Sequence, residues 1–400
     1  MTRREAFQRL LAFTAGSPLA KAQLDLPDPR DRMPALDDLV NVFEFEPLCK
    51  ARLPKQVYDY IAGGVDNEWS LRNNRRAFDR ITFRPRMLVN ASNLDLSLTL
   101  FGTKISCPIL IAPTAGHNQA NPEGEIATAR GAAGIETILI LSTNSSQPYE
   151  KVWESTAFPK WFQLYPGPDI DGTWERLARV KGAGYQVLVL TVDAGYNSHR
   201  ERMLRNRIRA QVPPGVPSPQ SGRPARRQRE EDKPAEMSRP QFYGLTTTLM
   251  HQLDWTFFDE LKKRWGGPVL IKGILTAEDA ALAAQHGADG IVVSNHGARY
   301  LDYAPATIDV LPEIVEAAGA RFPILIDGGF RRGTDILKAL ALGATAVCVG
   351  RPPLWGLGAF GELGVRRVLE LLRTELALAM GLCGKANLAA IDKSIVRVRP

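Results

Sequence analysis

His296 closes the segment Ile291-Val292-Val293-Ser294-Asn295-His296, directly after an apolar run, and Arg299 follows three residues on. An imidazole in that position can take a proton near neutral pH, and a neighbouring guanidinium can hold an anion. The same juxtaposition recurs along the chain. Apolar, β-branched runs end in Pro113-Thr114-Ala115, in Ser142, in Gln163 and Tyr165, and in Thr191 and Asp193. Later runs end in Lys272, in Asp327-Gly328-Gly329 and in Gly350-Arg351. A scaffold without chemistry has no need of so many polar groups at such places. The segments DGGFRRGTD and VGRP add glycines, a following helix start and the guanidiniums of Arg331 and Arg351. Glycine lets a phosphate approach backbone N–H groups and a helix N-terminus favours its charge, so these segments form a candidate phosphate corner.

Other residue types narrow the chemistry. Of the remaining histidines, His286 falls in a helix-to-loop segment and His251 in a long polar excursion, and both read as structural or exposed. Cys49, Cys107, Cys348 and Cys383 lie far apart with no C-x-x-C pair. That spacing argues against a zinc ribbon, a disulfide framework or c-type haem attachment; they read as small buried hydrophobes, and no metal is expected. The net charge of +7 is concentrated between His199 and Arg239. That stretch lacks the interleaved aromatics that base stacking needs, so no nucleic-acid partner is expected. No run of about 18 apolar residues exists, so no spanning helix is expected either.

The elements that carry these ends form a series. The runs are 108–113, 137–142, 161–165, 186–193, 268–273, 290–297, 323–329 and 346–350. Being continuous rather than alternating, they read as strands buried on both faces, as in parallel sheets. Between them lie PEGEIATARGAAG, with Pro122 at a helix start, and TWERLARVKGAG, TAEDAALAAQHGA and RGTDILKALALGA, with threonine caps and glycine stops. Eight such units in series predict an α/β fold, a (β/α)₈ TIM barrel, with its chemistry at the carboxyl ends of the strands. An N-terminal helical extension and cap occupies 23–105, and the barrel 106–400. One connection, after the fourth strand, is far too long for a simple crossover; its Pro- and Arg-rich part, about 205–245, reads as a mobile lid. Residues 1–22 carry Arg3-Arg4, a moderately apolar stretch and a small-x-small end at Ala20-Lys21-Ala22. This resembles a twin-arginine signal, which implies folded export to the periplasm; the alternative is an amphipathic extension on a cytoplasmic protein.

SNHGARYLDYAPATI, with TVD…SHRE, FQLY, IKGILTAEDA, DGGFRRGTD and ALGATAVCVGRP, resembles the FMN-dependent L-2-hydroxy-acid oxidases and dehydrogenases. These include glycolate oxidase, lactate oxidase, mandelate dehydrogenase and the flavocytochrome lactate dehydrogenases. The likeness runs from about Leu53-Pro54 to Gly381. It implies bound FMN and oxidation of a small, lactate-like L-2-hydroxy acid to the 2-oxo acid. Dioxygen is the implied acceptor, giving hydrogen peroxide, with a quinone or separate carrier as the alternative. The resemblance also implies a homotetramer.

Residue by residue, the resemblance implies that His296 takes a substrate proton and Asp193 pairs with the imidazolium. Arg200 and Arg299 clamp the carboxylate, Tyr60 donates to it, and Tyr165 bonds the reacting hydroxyl. Lys272 faces the pyrimidine end of the flavin. Pro113, Thr114, Ala115, Ser142, Gln163, Thr191 and Ser294 fall at its ring. Asp327, Gly329, Arg331, Gly350 and Arg351 fall at its ribityl and phosphate. Three departures bear on the substrate side: the turn Asp193-AGYNSH-Arg200, Asn144 where glycolate oxidase carries a tryptophan, and Gly116-His117 in place of bulkier neighbours. Two other readings compete. One is a lyase or isomerase barrel with Lys272 as a Schiff base. The other is a flavin-storing or peptide-modifying relative with the basic excursion as a docking surface.

Overall fold

The computed structural model describes residues 34–206 and 253–399; the expected export signal and the lid from 207 onward lie outside them. The chain divides into two compact units, 1–39 and 40–400. Of the first, only residues 34–39 are described, with one 3-10 turn at Leu36–Asp38. The second holds all of the elements below.

Eight parallel strands form the centre of the second unit. They are β1 (Ile109–Ile111), β2 (Ile140–Ser142), β3 (Trp161–Leu164), β4 (Leu188–Thr191), β5 (Val269–Ile274), β6 (Gly290–Val293), β7 (Ile324–Ile326) and β8 (Ala346–Val349). Hydrogen bonding runs continuously from β2 through β8 to β1. A single bridge, Ile111 to Leu139, closes the ring between β1 and β2. The (β/α)₈ barrel expected from the sequence is present, with all eight runs in place. Every strand is buried on both faces bar one position in β5, which is why the runs read as continuously apolar.

The helices are α1 (Phe45–Arg52), α2 (Lys55–Ala62), α3 (Trp69–Arg76), α4 (Glu125–Ala133), α5 (Tyr149–Glu154) and α6 (Ile170–Ala183). They continue with α7 (Glu201–Arg205), α8 (Trp255–Trp265), α9 (Ala277–Gln285), α10 (Thr307–Ala318), α11 (Gly333–Ala341) and α12 (Arg351–Leu382). Thr276 caps α9 as its sequence predicts, its side chain accepting from the Asp279 N–H. Gly184 and Gly266 end α6 and α8 in the left-handed conformation. Three expected starts shift. Thr173 lies inside α6, whose N-cap is Asp169, Thr334 lies inside α11, whose N-cap is Arg332, and α4 begins at Glu125, beyond Pro122. The last shift follows from a turn in which the Gly124 N–H bonds the Asn121 carbonyl.

Parity along the strands decides what fills the barrel. Leu110, Ile140, Trp161, Val189, Leu270, Val292, Leu325 and Ala346 belong to one buried cluster. The hairpin of Leu98–Leu100 and Thr103–Ile105 adds Leu100 and Ile105 to it. Its Phe101 packs edge-on to Trp161, with centroids 5.5 Å apart. Two residues further along each strand, on the same face, come Ala112, Ser142, Gln163, Thr191, Lys272, Ser294, Asp327 and Cys348. The apolar filling therefore gives way to a polar layer at the carboxyl end. All four cysteines are buried and free.

Around the barrel, α12 packs against α1, α4 and α11. The α11–α12 approach is very close: a Cβ on Gly333 would lie 2.1 Å from the Leu376 backbone nitrogen. Neither backbone can yield there without moving its helix. Gly333→Ala is expected to destabilise the fold by about 3 kcal/mol or more, read by denaturant melting of the holoprotein, because a methyl cannot be added without separating the two helices.

Candidate active site

A cavity of about 240 Å³ opens at the carboxyl ends of the strands. Tyr60, Pro113, Thr114, Ala115, Ser142, Tyr165, Arg200, Lys272, His296 and Arg299 line it, as do Asp327, Gly329, Arg331, Gly350 and Arg351. The structure thus brings together most of the residues singled out in the sequence. Gln163, Thr191 and Ser294 share the polar layer of Ser142, Lys272 and Asp327 without lining the cavity, and Asp193, just past the end of β4, is paired with His296.

His296 sits in a tight left-handed turn: φ is +56° at His296, +60° at Gly297 and +60° at Ala298. Such a conformation is costly for His and Ala, and here it is over-determined. The Ala298 N–H reaches both the Asn295 carbonyl (2.9 Å) and its side-chain oxygen (3.2 Å). The Ala298 carbonyl accepts from the Val65 N–H (3.0 Å) and the Gly297 carbonyl from Arg351 (3.0 Å). Asn295 in turn exchanges side-chain hydrogen bonds with Asn74 of α3 at 2.8 and 3.0 Å.

The turn aims the imidazole at two partners. Nδ1 lies 2.7 Å from Asp193 Oδ1 and Nε2 3.1 Å from the Tyr165 hydroxyl. Burial pushes the His296 pKa down, outweighing the pull of Asp193 in the other direction. Burial raises the Asp193 carboxyl, but the imidazole and the Lys272 ammonium outweigh it and hold that carboxyl below its usual range. Burial also lifts the Tyr165 phenol well above its ordinary value, so it stays protonated. A neutral imidazole beside a carboxylate carries its proton on Nδ1, which leaves the Nε2 lone pair facing Tyr165 and the cavity. Asp193 is crowded against β5: a Cβ on Gly273, whose φ is +116°, would lie 2.8 Å from the Asp193 Cβ.

Lys272 is 3% exposed. Its ammonium donates to the Ser294 hydroxyl at 2.8 Å and lies 3.4 Å from Asp327, and Ser294 donates to Asp327. Burial alone lowers its pKa, but Asp327 and Asp193 reverse the sign and raise it. A lysine held as a cation has no lone pair for a carbonyl, which argues against the Schiff-base reading.

The arginines are held by backbone. Arg299 donates to the Tyr60 and Gly63 carbonyls at 2.8 and 3.0 Å and lies over the Tyr60 ring. Burial and the neighbouring Arg200 bring its pKa down to about 9. Arg351 donates to the Ile61, Gly297 and Gly63 carbonyls within 3.0 Å, so much of the guanidinium expected at the phosphate pins the end of α2. Arg331 stacks on Trp355 at 4.5 Å. Sequence reasoning missed Tyr300, which lines the cavity next to Arg299, and the part played by His117. His117 is fully buried and bonds Thr114 at 2.7 Å and Thr128 at 2.9 Å, fixing the 113–115 wall. For Tyr300 the only signal was its place directly after Arg299; Gly116-His117, expected on the substrate side, does not line the cavity.

A family model described as FMN-dependent dehydrogenase matches residues 49–398. The chain belongs to that family. Its relatives include glycolate oxidase of Spinacia oleracea, 44% identical over 361 residues, 89% of this chain and 95% of that one. Glycolate oxidase 1 of Oryza sativa subsp. japonica is 43% identical over 363 residues, 90% of this chain and 96% of that one. Among solved structures, a soluble mutant of the membrane-associated (S)-mandelate dehydrogenase from Pseudomonas putida matches with a TM-score of 0.80 at 36% identity, covering 90% of this chain and all of that one. A flavocytochrome b2 mutant with pyruvate bound matches with a TM-score of 0.79 at 31% identity, covering 91% of this chain and 88% of that one. As a member of this family the protein is an FMN-dependent enzyme that oxidises 2-hydroxy acids.

The residues present fit FMN. Gln163 Nε2, Thr191 Oγ1 and Asp193 Oδ2 are buried polar atoms with no partner, at neighbouring strand ends where a ring with hydrogen-bonding edges would meet them. At Gly350 a Cβ would meet nothing closer than 3.6 Å, so there is open room in front of that backbone at the start of α12. At Gly329 the reverse holds: φ is +85° and a Cβ would lie 2.4 Å from the Asn74 carbonyl. Gly329→Ala is therefore expected to weaken FMN binding by at least about tenfold through displacement of the 328–331 loop, measured as flavin content and as fluorescence titration of apoprotein with FMN.

Proposed function

We propose that the protein oxidises a small, lactate-like L-2-hydroxy acid to the 2-oxo acid and that dioxygen is its acceptor, giving hydrogen peroxide. The observation that carries this reading is the chain Asp193–His296–Tyr165, facing the same cavity as two carboxylate-binding guanidiniums. Bound FMN supplies the two-electron acceptor. The chain's own residues do the rest. Arg299 and Arg200 hold the acid's carboxylate and Tyr60 adds a third contact, which fixes the α-carbon in one orientation. His296 Nε2, kept bare by the Asp193 partnership, takes a proton from the substrate as Asp193 stabilises the imidazolium. Tyr165 donates to the hydroxyl oxygen as its C–O bond becomes a carbonyl. Lys272 holds a fixed positive charge at the ring position. Ring contacts fall to Pro113, Thr114, Ala115, Ser142, Gln163, Thr191 and Ser294. Asp327, Gly329, Arg331, Gly350 and Arg351 take the ribityl and phosphate end.

The glycolate oxidase relatives support a short side chain on the acid. Asn144, one of the departures noted in the sequence, lines the cavity. The names of the oxidase relatives and the small Ala115 support dioxygen as acceptor. The sequence of residues 1–22 supports export in folded form, and the family likeness supports a homotetramer.

The test is the visible spectrum of the purified protein, recorded anaerobically before and after L-lactate, L-mandelate and glycolate are added separately. Bleaching by L-lactate, with recovery and peroxide release in air, is the expected result. Bleaching that air restores only slowly would replace dioxygen with another acceptor. A flavin indifferent to all three acids would end the lactate-like assignment.

The pH dependence follows from the direction of the His296 shift. A base whose pKa is lowered loses activity only as pH falls through that lowered value, so the acid limb of kcat/KM lies below pH 6.5. Asp193 raises the imidazole pKa, so Asp193→Asn moves the limb further to the acid side and lowers kcat by about a hundredfold or more. A pH–rate profile of the two proteins checks both signs.

A further inference from the structure

Tyr300 follows Arg299 and lines the cavity, yet nothing above gives it work to do. Its ring is shared by two of the working side chains. The Arg200 guanidinium lies 5.3 Å from the ring centroid. The His296 imidazole meets the same ring edge-to-face, with centroids 4.5 Å apart and planes at 69°.

Arg200 needs such a neighbour more than Arg299 does. Arg299 is anchored on two main-chain carbonyls and the Tyr60 ring. Arg200 is tethered mainly through Nε, to the Ser198 hydroxyl at 2.7 Å and the Arg299 carbonyl at 3.4 Å. Its Nη1 reaches only the Met203 sulfur, at 3.9 Å. Among the described residues no carboxylate forms an ion pair with it. Arg200 and Arg299 also repel, and that repulsion contributes to the lowered pKa of Arg299. With no anion between them, the less anchored of the two cations is driven outward. An aromatic face attracts a guanidinium without neutralising it, so it can hold Arg200 in place and leave its donors for a ligand.

We propose that Tyr300 is a positioning residue: its ring holds the Arg200 guanidinium inside the cavity against repulsion from Arg299, so that a carboxylate meets a preassembled pair. The His296 contact keeps the ring upright. This inference rests on the reading of Arg200 and Arg299 as the carboxylate clamp. It requires the ring and not the hydroxyl.

The experiment uses the FMN-loaded protein and oxalate as the carboxylate probe, with Kd read from the change in flavin absorption, alongside KM and kcat. Tyr300→Leu is expected to raise the oxalate Kd and KM between about threefold and thirtyfold, with kcat within about threefold of the parent. Tyr300→Phe keeps the ring and is expected to stay within about twofold of the parent on all three. In an Arg200→Leu background the further change Tyr300→Leu is expected to move the oxalate Kd by less than about twofold, because the ring then has no cation to hold. If Arg200→Leu alone leaves oxalate binding intact, the clamp reading fails, and this inference with it. If Arg200→Leu weakens oxalate and Tyr300→Leu does not, the clamp stands and the role of Tyr300 is overturned. That role is overturned as well if Tyr300→Phe loses as much as Tyr300→Leu, or if kcat falls while Kd and KM hold. Should Tyr300→Leu not retain FMN, Tyr300→Gln, which keeps a polar tip and loses the ring, takes its place in the cycle.

Discussion

The mouth of the barrel has to keep Lys272, Asp327, Asp193 and His296 away from water, each in a definite charge state. An unpaired charge in such a place costs several kcal/mol, so the groups are soluble there only together. Ser294 is the hinge of the arrangement, accepting from Lys272 and donating to Asp327. Lys272 then acts on Asp193, and Asp193 fixes the tautomer of His296. Strand β5 adapts to it: its register slips between Lys272 and Ile274, and Gly273 in the gap leaves room for Asp193. Replacing any member leaves another buried and alone, so the layer works as a unit.

Much of this layer was legible in the sequence, for a simple reason. Strand side chains alternate, so Leu110, Ile140, Trp161 and Val189 inside the barrel place Ala112, Ser142, Gln163 and Thr191 above them without any tertiary information. Lys272 and Asp327 follow by the same count, whereas Asp193 and His296 lie beyond their strand ends, where the turns set their direction. What could not be read depends on residues far apart in sequence. The mutual Asn74–Asn295 hydrogen bonds join positions more than two hundred residues apart. His117 read as a substrate-side residue until its two threonine partners came into place. The use of Arg351 on the carbonyls around Gly63 has no signature in VGRP, since any arginine after that glycine would read as a phosphate ligand. Roles for the individual side chains came from family likeness; geometry supplied their partners.

The left-handed turn at His296–Ala298 shows how tertiary contacts override local preference. Two non-glycine residues there take a conformation that costs about 1–3 kcal/mol each. The turn persists because its polar groups are claimed from three directions: by Asn295 from within, by Val65 from the segment after α2, and by Arg351 from the start of α12. The return is an imidazole that leaves the strand end sideways, toward Asp193 and Tyr165, instead of continuing outward with the chain.

The carbonyls of Tyr60, Ile61 and Gly63 belong to the segment ahead of the barrel, yet they are where Arg299 and Arg351 discharge their hydrogen bonds. The eight-stranded ring is therefore not a portable module. A version begun at β1 would keep every strand and helix of the repeat and still leave Arg299 without the two carbonyls that hold it and Arg351 with the Gly297 carbonyl alone. Recombination between members of this fold can exchange outer loops freely, but the N-terminal stretch through α2 has to travel with the barrel it completes.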